Sequence, residues 1–375
     1  MKLNKVIIAP DSFKGALSAN QVADIIAEEV NAEFPGCTVI KMPIADGGEG
    51  STDTILAAMG GKKYTAQALS PDDRHIAASF GIAADGTAIL EMAQSSGLTM
   101  QSGMHPMTAS TFGFGQLILA ALDRGARDFI LCIGGSATTD GGGGMAAALG
   151  VRFLDRTGSS FVPCGGTLVK ISRIDVGDID GRIRESRFTV MCDVDNPLFG
   201  ENGAAYVYAP QKGAKPEQVL ALDKGLRHLG KTLFDQFGTD FSGVPGAGAA
   251  GGLGAGCMAF LNANLMSGSE AILNLCGFEK HLPGTDLIIT GEGKLDAQSF
   301  YGKVLSGILS RAPHVPVCSI CGVCDCDEGF LKGRNINIFE ASEGVSMEES
   351  MKNPVKYLRI AAGKAMKMYS QKYRV

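Results

Sequence analysis

Four times along this chain a short apolar run stops in a loop of glycine, acidic and hydroxyl residues, and helical spacing then resumes. Residues 5–9 lead into Pro10-Asp11-Ser12-Phe13-Lys14-Gly15, after which Ser18 has the character of an N-cap for an amphipathic stretch over 21–34. Residues 38–42 lead into Pro43-Ile44-Ala45-Asp46-Gly47-Gly48-Glu49-Gly50 and a helical stretch over 52–59. Residues 129–133 break into the barest loop, Gly134-Gly135-Ser136-Ala137-Thr138-Thr139-Asp140-Gly141-Gly142-Gly143-Gly144, before an Ala/Met-rich helical pattern at 145–150. Residues 287–290 lead into Gly291-Glu292-Gly293-Lys294-Leu295-Asp296 and a helix from about 302 to 310. A repeated strand-loop-helix unit specifies a parallel sheet, whose ligand crevice is lined by the loops leaving the strand carboxyl ends. Asp11, Lys14, Asp46 and Glu49 thereby become expected neighbours.

Between residues 62 and 92 the pattern changes to alternating segments at 64–69, 75–82 and 88–92, joined by Pro71-Asp72-Asp73 and Ala84-Asp85-Gly86, which predicts antiparallel or mixed strands. A helix beginning at Thr108 or Ser110 feeds the 129–133 strand; 188–191 is a further strand and 211–237 is mostly helical. Two short strands at 315–320 and 336–339 and a basic helix over about 354–373 complete the chain. The last units resemble the first. The expected architecture is α/β with two domains: a parallel-sheet Rossmann/flavodoxin-like domain built from 1–70 and 280–375, and a mixed α/β domain, 71–279, inserted in it. Loops of both would face an interdomain cleft.

Two domains also fit 375 residues at about 150 per domain. With 45% hydrophobic and 19% charged residues, a substantial core is expected and disorder is not. A net charge of −5 and a pI near 5.6 supply no basic field for nucleic acid or an anionic membrane surface, so a small diffusible substrate is expected. No stretch approaches the ~18 apolar residues of a spanning helix, and residues 1–10 lack the apolar region of a signal peptide. A cytoplasmic location is therefore expected, with the ten cysteines reduced. Cys318, Cys321, Cys324 and Cys326 match no common zinc or iron–sulfur spacing, and read as small residues in and after a buried strand.

Bare backbone ahead of a helix can turn several N–H groups toward one anion at the helix's positive end, so 134–144 reads as a phosphate cradle or, alternatively, as a tightly turning loop. Ser136 lies in G-G-S-A-T rather than G-x-S-x-G, with no histidine in any glycine loop, which argues against a nucleophile. A literal G-x-G-x-x-G at 246–251 does not follow a buried strand and makes a poor dinucleotide site; a second phosphate loop or a hinge is expected there. In Cys192-Asp193-Val194-Asp195-Asn196-Pro197-Leu198, Asp193 and Asp195 point to one side of an extended backbone, about 6.6 Å apart. Such a pair suits a metal ion or a general base, or is a solvated strand-end turn. Asp11, Asp46 and Asp296 also suit helix caps. Cradles, carboxylates and lysines together are the parts list of phosphoryl transfer, without a P-loop or the protein-kinase motifs.

Taken in order, the five motifs 9–15, 43–50, 134–138, 192–198 and 290–296 resemble the bacterial glycerate kinase type I family over essentially the whole chain. The resemblance implies transfer of the ATP γ-phosphate to D-glycerate with Mg²⁺, giving 2-phosphoglycerate. It implies substrate contacts from Asp11, Ser12, Lys14, Asp46, Gly47, Gly48 and Glu49, and phosphate or ATP contacts from Gly134, Gly135, Ser136, Thr138, Gly291, Glu292 and Lys294. On physical grounds Asp193, Asp195 and Lys14 are expected to be catalytic, one of the two aspartates as the base with the other on Mg²⁺, and Asp195 and Asp296 are the expected metal residues. The sequence departs from the family at Thr139, where Asn is usual, and in its cysteine-rich segment. Phosphorylation at the 3-hydroxyl or of another small hydroxy acid, and a non-catalytic two-domain sugar-acid binder, are the alternatives; homo-oligomerisation is left open.

Overall fold

A computed structural model describes residues 3–13, 15–44, 47–48, 50–300, 304–326, 331 and 336–373. The chain divides into two compact units, one formed by residues 1–46, 57–59 and 267–375 and the other by 47–56 and 60–266. The first contains β1 (Lys5–Pro10) and β2 (Thr38–Lys41). In the second, β3 (Gly61–Leu69), β4 (His75–Ala83) and β5 (Ala88–Glu91) form a meander, followed by β6 (Asp128–Cys132). Then come β7 (Arg152–Leu154), β8 (Ser160–Phe161), β9 (Arg173–Asp175), β10 (Arg187–Met191) and β11 (Asn264–Met266). The chain returns to the first unit for β12 (Leu287–Leu295), β13 (Val317–Cys324) and β14 (Ile336–Glu340).

The first unit is a five-stranded parallel sheet in the order β14-β13-β12-β1-β2, so the two ends of the chain share it. Ser18 caps the helix Ala19–Glu33 with a complete capping box, and Val22, Ile26 and Val30 on its inner face meet Val6, Ile8, Leu287 and Ile289 of the sheet. The charges of the last helix, Pro354–Tyr373, are partly paired at the surface: Arg359 with Glu28 and Glu29, and Lys364 with Glu343.

The second unit is a six-stranded sheet, β11-β10-β6-β5-β4-β3, in which β11, β10, β6 and β5 run parallel and the β3-β4-β5 meander is antiparallel. A small antiparallel sheet, β8-β7-β9, stands beside it in sequence. Stacked Phe129 and Phe188, 4.6 Å between ring centres, lie in a core with Leu90, Leu117, Leu131 and Val190. The helix preceding β6 starts at Phe112, later than Thr108 or Ser110, because the Thr111 amide and hydroxyl both bind Asp140.

One expected loop is a strand. Residues 291–295 continue β12 rather than leaving it, with Lys294 and Leu295 opposite Val323 and Cys324 of β13. Neither Gly291 nor Gly293 has a positive φ. Instead, glycine allows close strand approach: a Cβ on Gly291 would sit 2.4 Å from the Ile320 carbonyl oxygen, and one on Gly322 would sit 2.4 Å from that of Gly293. Gly322→Ala should therefore cost about 1–3 kcal/mol of stability, read as a lower urea midpoint; an unchanged midpoint would show that β12 and β13 have room to part.

Candidate active site

The register of the second sheet sets Glu91, Cys132, Met191 and Met266 in one row at the carboxyl ends of four parallel strands. The segments that follow β6 and β10 contain candidate groups. After β6 the chain is stitched on both sides: the Gly134 amide donates to Gly47 O (3.0 Å), the Leu98 amide to Gly135 O (3.0 Å) and the Ala137 amide to Ser96 O (3.0 Å). A Cβ on Gly134 would lie 2.8 Å from Gly48 Cα, and one on Gly47, at φ +77°, 3.0 Å from Met191 Cβ. Glycine at these positions thus lets the Gly47-Gly48 turn, the Gly134-Gly135-Ser136 loop and the end of β10 meet.

The second half of the loop is organised by Asp140, which is fully buried. Its Oδ2 accepts from the Thr111 amide (2.8 Å), the Thr111 hydroxyl (2.8 Å) and the Gly144 amide (3.1 Å), and its Oδ1 from the Gly142 amide (3.2 Å). Burial pushes its carboxyl upward in pKa, opposed by these four donors. The anion at the start of the helix Gly143–Ala148 is therefore the protein's own carboxylate. The expected helix-terminal cradle does not extend to 142–144, whose glycines pack against Leu253, Pro163 and Ser110.

Lys212, only 1% exposed, supports the first half. Its ammonium donates to Ser136 Oγ (2.7 Å) and Thr138 O (2.6 Å). Burial lowers its pKa to about 7, with the Asp140 carboxylate pulling the other way. The hydroxyls of Thr138 and Thr139 are buried with no hydrogen-bond partner among the described residues. Glu91 performs the matching task beside Gly50: it is buried and accepts from the Thr52 amide (2.6 Å) and the Gly50 amide (3.2 Å), fixing the start of the helix Ser51–Met59. Sequence reasoning missed both residues. Glu91 left one signal, an acid ending the apolar 88–92 run; Lys212 left none.

Asp193 and Asp195 are exposed beyond β10, on a segment held by Asn196, whose amide donates to Asn202 O (2.8 Å) and whose carbonyl accepts from the Gly248 amide (2.9 Å). The 246–251 glycines are packing residues: a Cβ on Gly248 would meet Pro197 O at 2.2 Å, and one on Gly251 would meet Thr138 O at 2.0 Å. They pack this segment against Pro197 and against the Thr138 carbonyl of the central loop.

In the first unit, Asp11 takes the Ser12 amide (2.6 Å) on its own carboxylate, while Ser18 caps the helix that follows. Gly291 and Glu292 lie within β12; Lys294 pairs with Asp325 at the surface (2.8 Å), which raises its pKa. The Asp296 amide donates to Ser299 Oγ (3.2 Å). Lys14, Asp46 and Glu49 lie outside the described residues.

Residues 6–370 match the model of the glycerate kinase family. The chain belongs to that family. It is 43% identical over 325 residues to a glycerate kinase of Halalkalibacterium halodurans, covering 85% of this chain and 86% of that one. It is 41% identical over 338 residues to the glycerate 2-kinase of Escherichia coli K12, covering 89% of each. A crystal structure from Salmonella typhimurium LT2, described as a glycerate kinase 2, superposes with a TM-score of 0.88 at 34% identity over the full length of both chains. Thr139, the expected departure from the family pattern, is one of the two buried hydroxyls without a partner among the described residues.

The Lys212 environment makes a pH prediction. In the unfolded chain a lysine titrates near about 10.4, so between about pH 7 and pH 10 the unfolded chain holds a proton that the folded chain has released. Stability therefore rises with pH across that window. The unfolding midpoint of the native protein should climb from pH 7 to 9 relative to Lys212→Met; parallel profiles would show that the burial effect is absent.

Proposed function

We propose that this chain transfers the γ-phosphate of ATP to the 2-hydroxyl of D-glycerate, forming 2-phosphoglycerate. Membership of the glycerate kinase family carries the reaction class. The site reading rests on one observation: the Gly47-Gly48 turn, the Gly134-Gly135-Ser136 loop and the strand end before Asp193 meet at the carboxyl ends of the parallel strands of the second sheet. That edge is where α/β proteins bind their ligands.

In this reading Asp11, Ser12, Lys14, Asp46, Gly47, Gly48 and Glu49 receive the carboxylate and hydroxyls of glycerate, and Lys14 assists catalysis. Gly134, Gly135, Ser136 and Thr138 face the nucleotide phosphates, with Gly291, Glu292 and Lys294 as further phosphate groups. Asp193 or Asp195 orients the acceptor hydroxyl and takes its proton. Asp195 and Asp296 are the residues that would hold Mg²⁺. Their hard oxygen donors fit the ion, which is usually held by one or two carboxylates plus substrate phosphates; accordingly, no cluster of three or more acidic, His or Cys ligands is required, and none occurs among the described residues. When bound, Mg²⁺ offsets charge on the phosphates. The chain would work in the cytoplasm: its ten cysteines are free, and no helix among the described residues is long and apolar enough to cross a membrane.

Purified protein with ATP and Mg²⁺ should release ADP only when D-glycerate is added, and phosphorus NMR should identify the 2-phosphate. Asp193→Asn and Asp195→Asn separate the roles. The variant lacking the base should lose about 10²–10⁴-fold in kcat, with KM for glycerate within a few-fold. Native kcat in both variants would remove these residues from the mechanism.

A further inference from the structure

The groups surrounding Lys212 leave one of its contacts chemically unfinished. Lys212 ends the short turn Pro210–Lys212, and the chain reverses immediately at Gly213, φ +87°, where a Cβ would lie 2.6 Å from Met104 Cβ. The turn delivers the ammonium behind the 134–138 loop, out of water. An ammonium has three donors; two are taken by Ser136 Oγ and Thr138 O. A serine hydroxyl has one proton, and because Lys212 occupies Ser136 Oγ as donor, that proton must point to another acceptor. Among the described residues there is none for it. Ser136 therefore presents a cation-polarised O–H, a stronger donor than an ordinary hydroxyl. The Asp140 carboxylate offsets the buried ammonium only in part, since burial still lowers the lysine's pKa, and an anion on the other side of the loop would match the rest.

We infer that Lys212 is a positioning residue of the kinase reaction: it locks Ser136 as a hydrogen-bond donor to a phosphate of the nucleotide and, in its protonated form, which a bound phosphate would favour, supplies a buried positive charge behind that phosphate. Lys212 does not touch the nucleotide; it acts through Ser136 and the Thr138 carbonyl. This rests on the reading that the 134–138 loop holds phosphate, and it adds a group that none of the five motifs contains.

The test compares Lys212→Met, Ser136→Ala and the double variant by kcat, KM for MgATP, KM for D-glycerate and thermal midpoint. Ser136→Ala should raise KM for MgATP about tenfold and leave KM for glycerate within twofold. Lys212→Met should raise KM for MgATP at least as much, and the double variant should be no worse than Lys212→Met, since the two residues act as one unit. If Ser136→Ala leaves KM for MgATP unchanged, the phosphate reading of the loop fails and the inference falls with it. If Ser136→Ala has its effect but Lys212→Met only lowers the thermal midpoint, the loop reading stands and Lys212 is merely structural. Should Lys212→Met not fold, Lys212→Gln keeps a donor without the charge and is read the same way: native KM for MgATP overturns the role of the charge.

Discussion

A single buried carboxylate determines the shape of the central loop. Asp140 has no access to water, and its carboxylate is held by two amides, a third amide from Thr111 and the Thr111 hydroxyl that converge on it. Those bonds tie the start of one helix to the start of another: Thr111 precedes Phe112–Asp123, while Gly142 and Gly144 open Gly143–Ala148. The Thr111 hydroxyl also accepts the Met145 amide (2.8 Å), closing the network. Removing Asp140 would orphan four buried donors at once, a larger loss than any one hydrogen bond.

The glycine content of the loop follows from this anchoring. The Gly141 amide donates to Gly251 O (3.1 Å), and Cβ atoms on Gly251 and Gly256 would fall 2.0 Å from Thr138 O and 2.5 Å from Gly141 O. Two glycine-rich segments therefore lie backbone to backbone. Their glycines confer close packing rather than mobility, and the first half of the loop is held by hydrogen bonds on both flanks. A loop built this way is organised before any ligand arrives, the condition under which fixed dipoles stabilise developing charge most effectively.

Much of the architecture was legible in the sequence, and the exceptions have physical reasons. Apolar runs followed by loop and helix located β1, β2, β6 and β12, and Ser18 was readable as an N-cap because capping is local chemistry. The strand character of 291–295 was not readable: Gly-x-Gly reads as a turn unless the carbonyl of an adjacent strand, here Ile320, is known to lie where a Cβ would be. The same limit applies to the site. Motifs identify residues near one another in the chain, and so they found Ser136 and Thr138. Lys212 lies 76 residues from Ser136, in a turn with no periodicity of its own, and only the fold brings its amine to that hydroxyl. Glu91 and the Gly50 amide are 41 residues apart.

Two lysines illustrate how burial divides labour between groups of identical chemistry. Lys212 is enclosed, bound to two fixed acceptors and has its pKa lowered by desolvation; moving it would break the loop it supports, so its part is to hold geometry. Lys294 is half exposed, and Asp325, with which it pairs, is more exposed still. An ion pair in water contributes little to stability because solvent screens it and both side chains lose rotamer freedom. Such a lysine can leave Asp325 for a phosphate at small cost, and its pKa, raised by that pair, keeps it cationic throughout the neutral range. If Lys294 meets a phosphate, as proposed, its exposed side chain is free to exchange partners, whereas the buried Lys212 is fixed to its two acceptors.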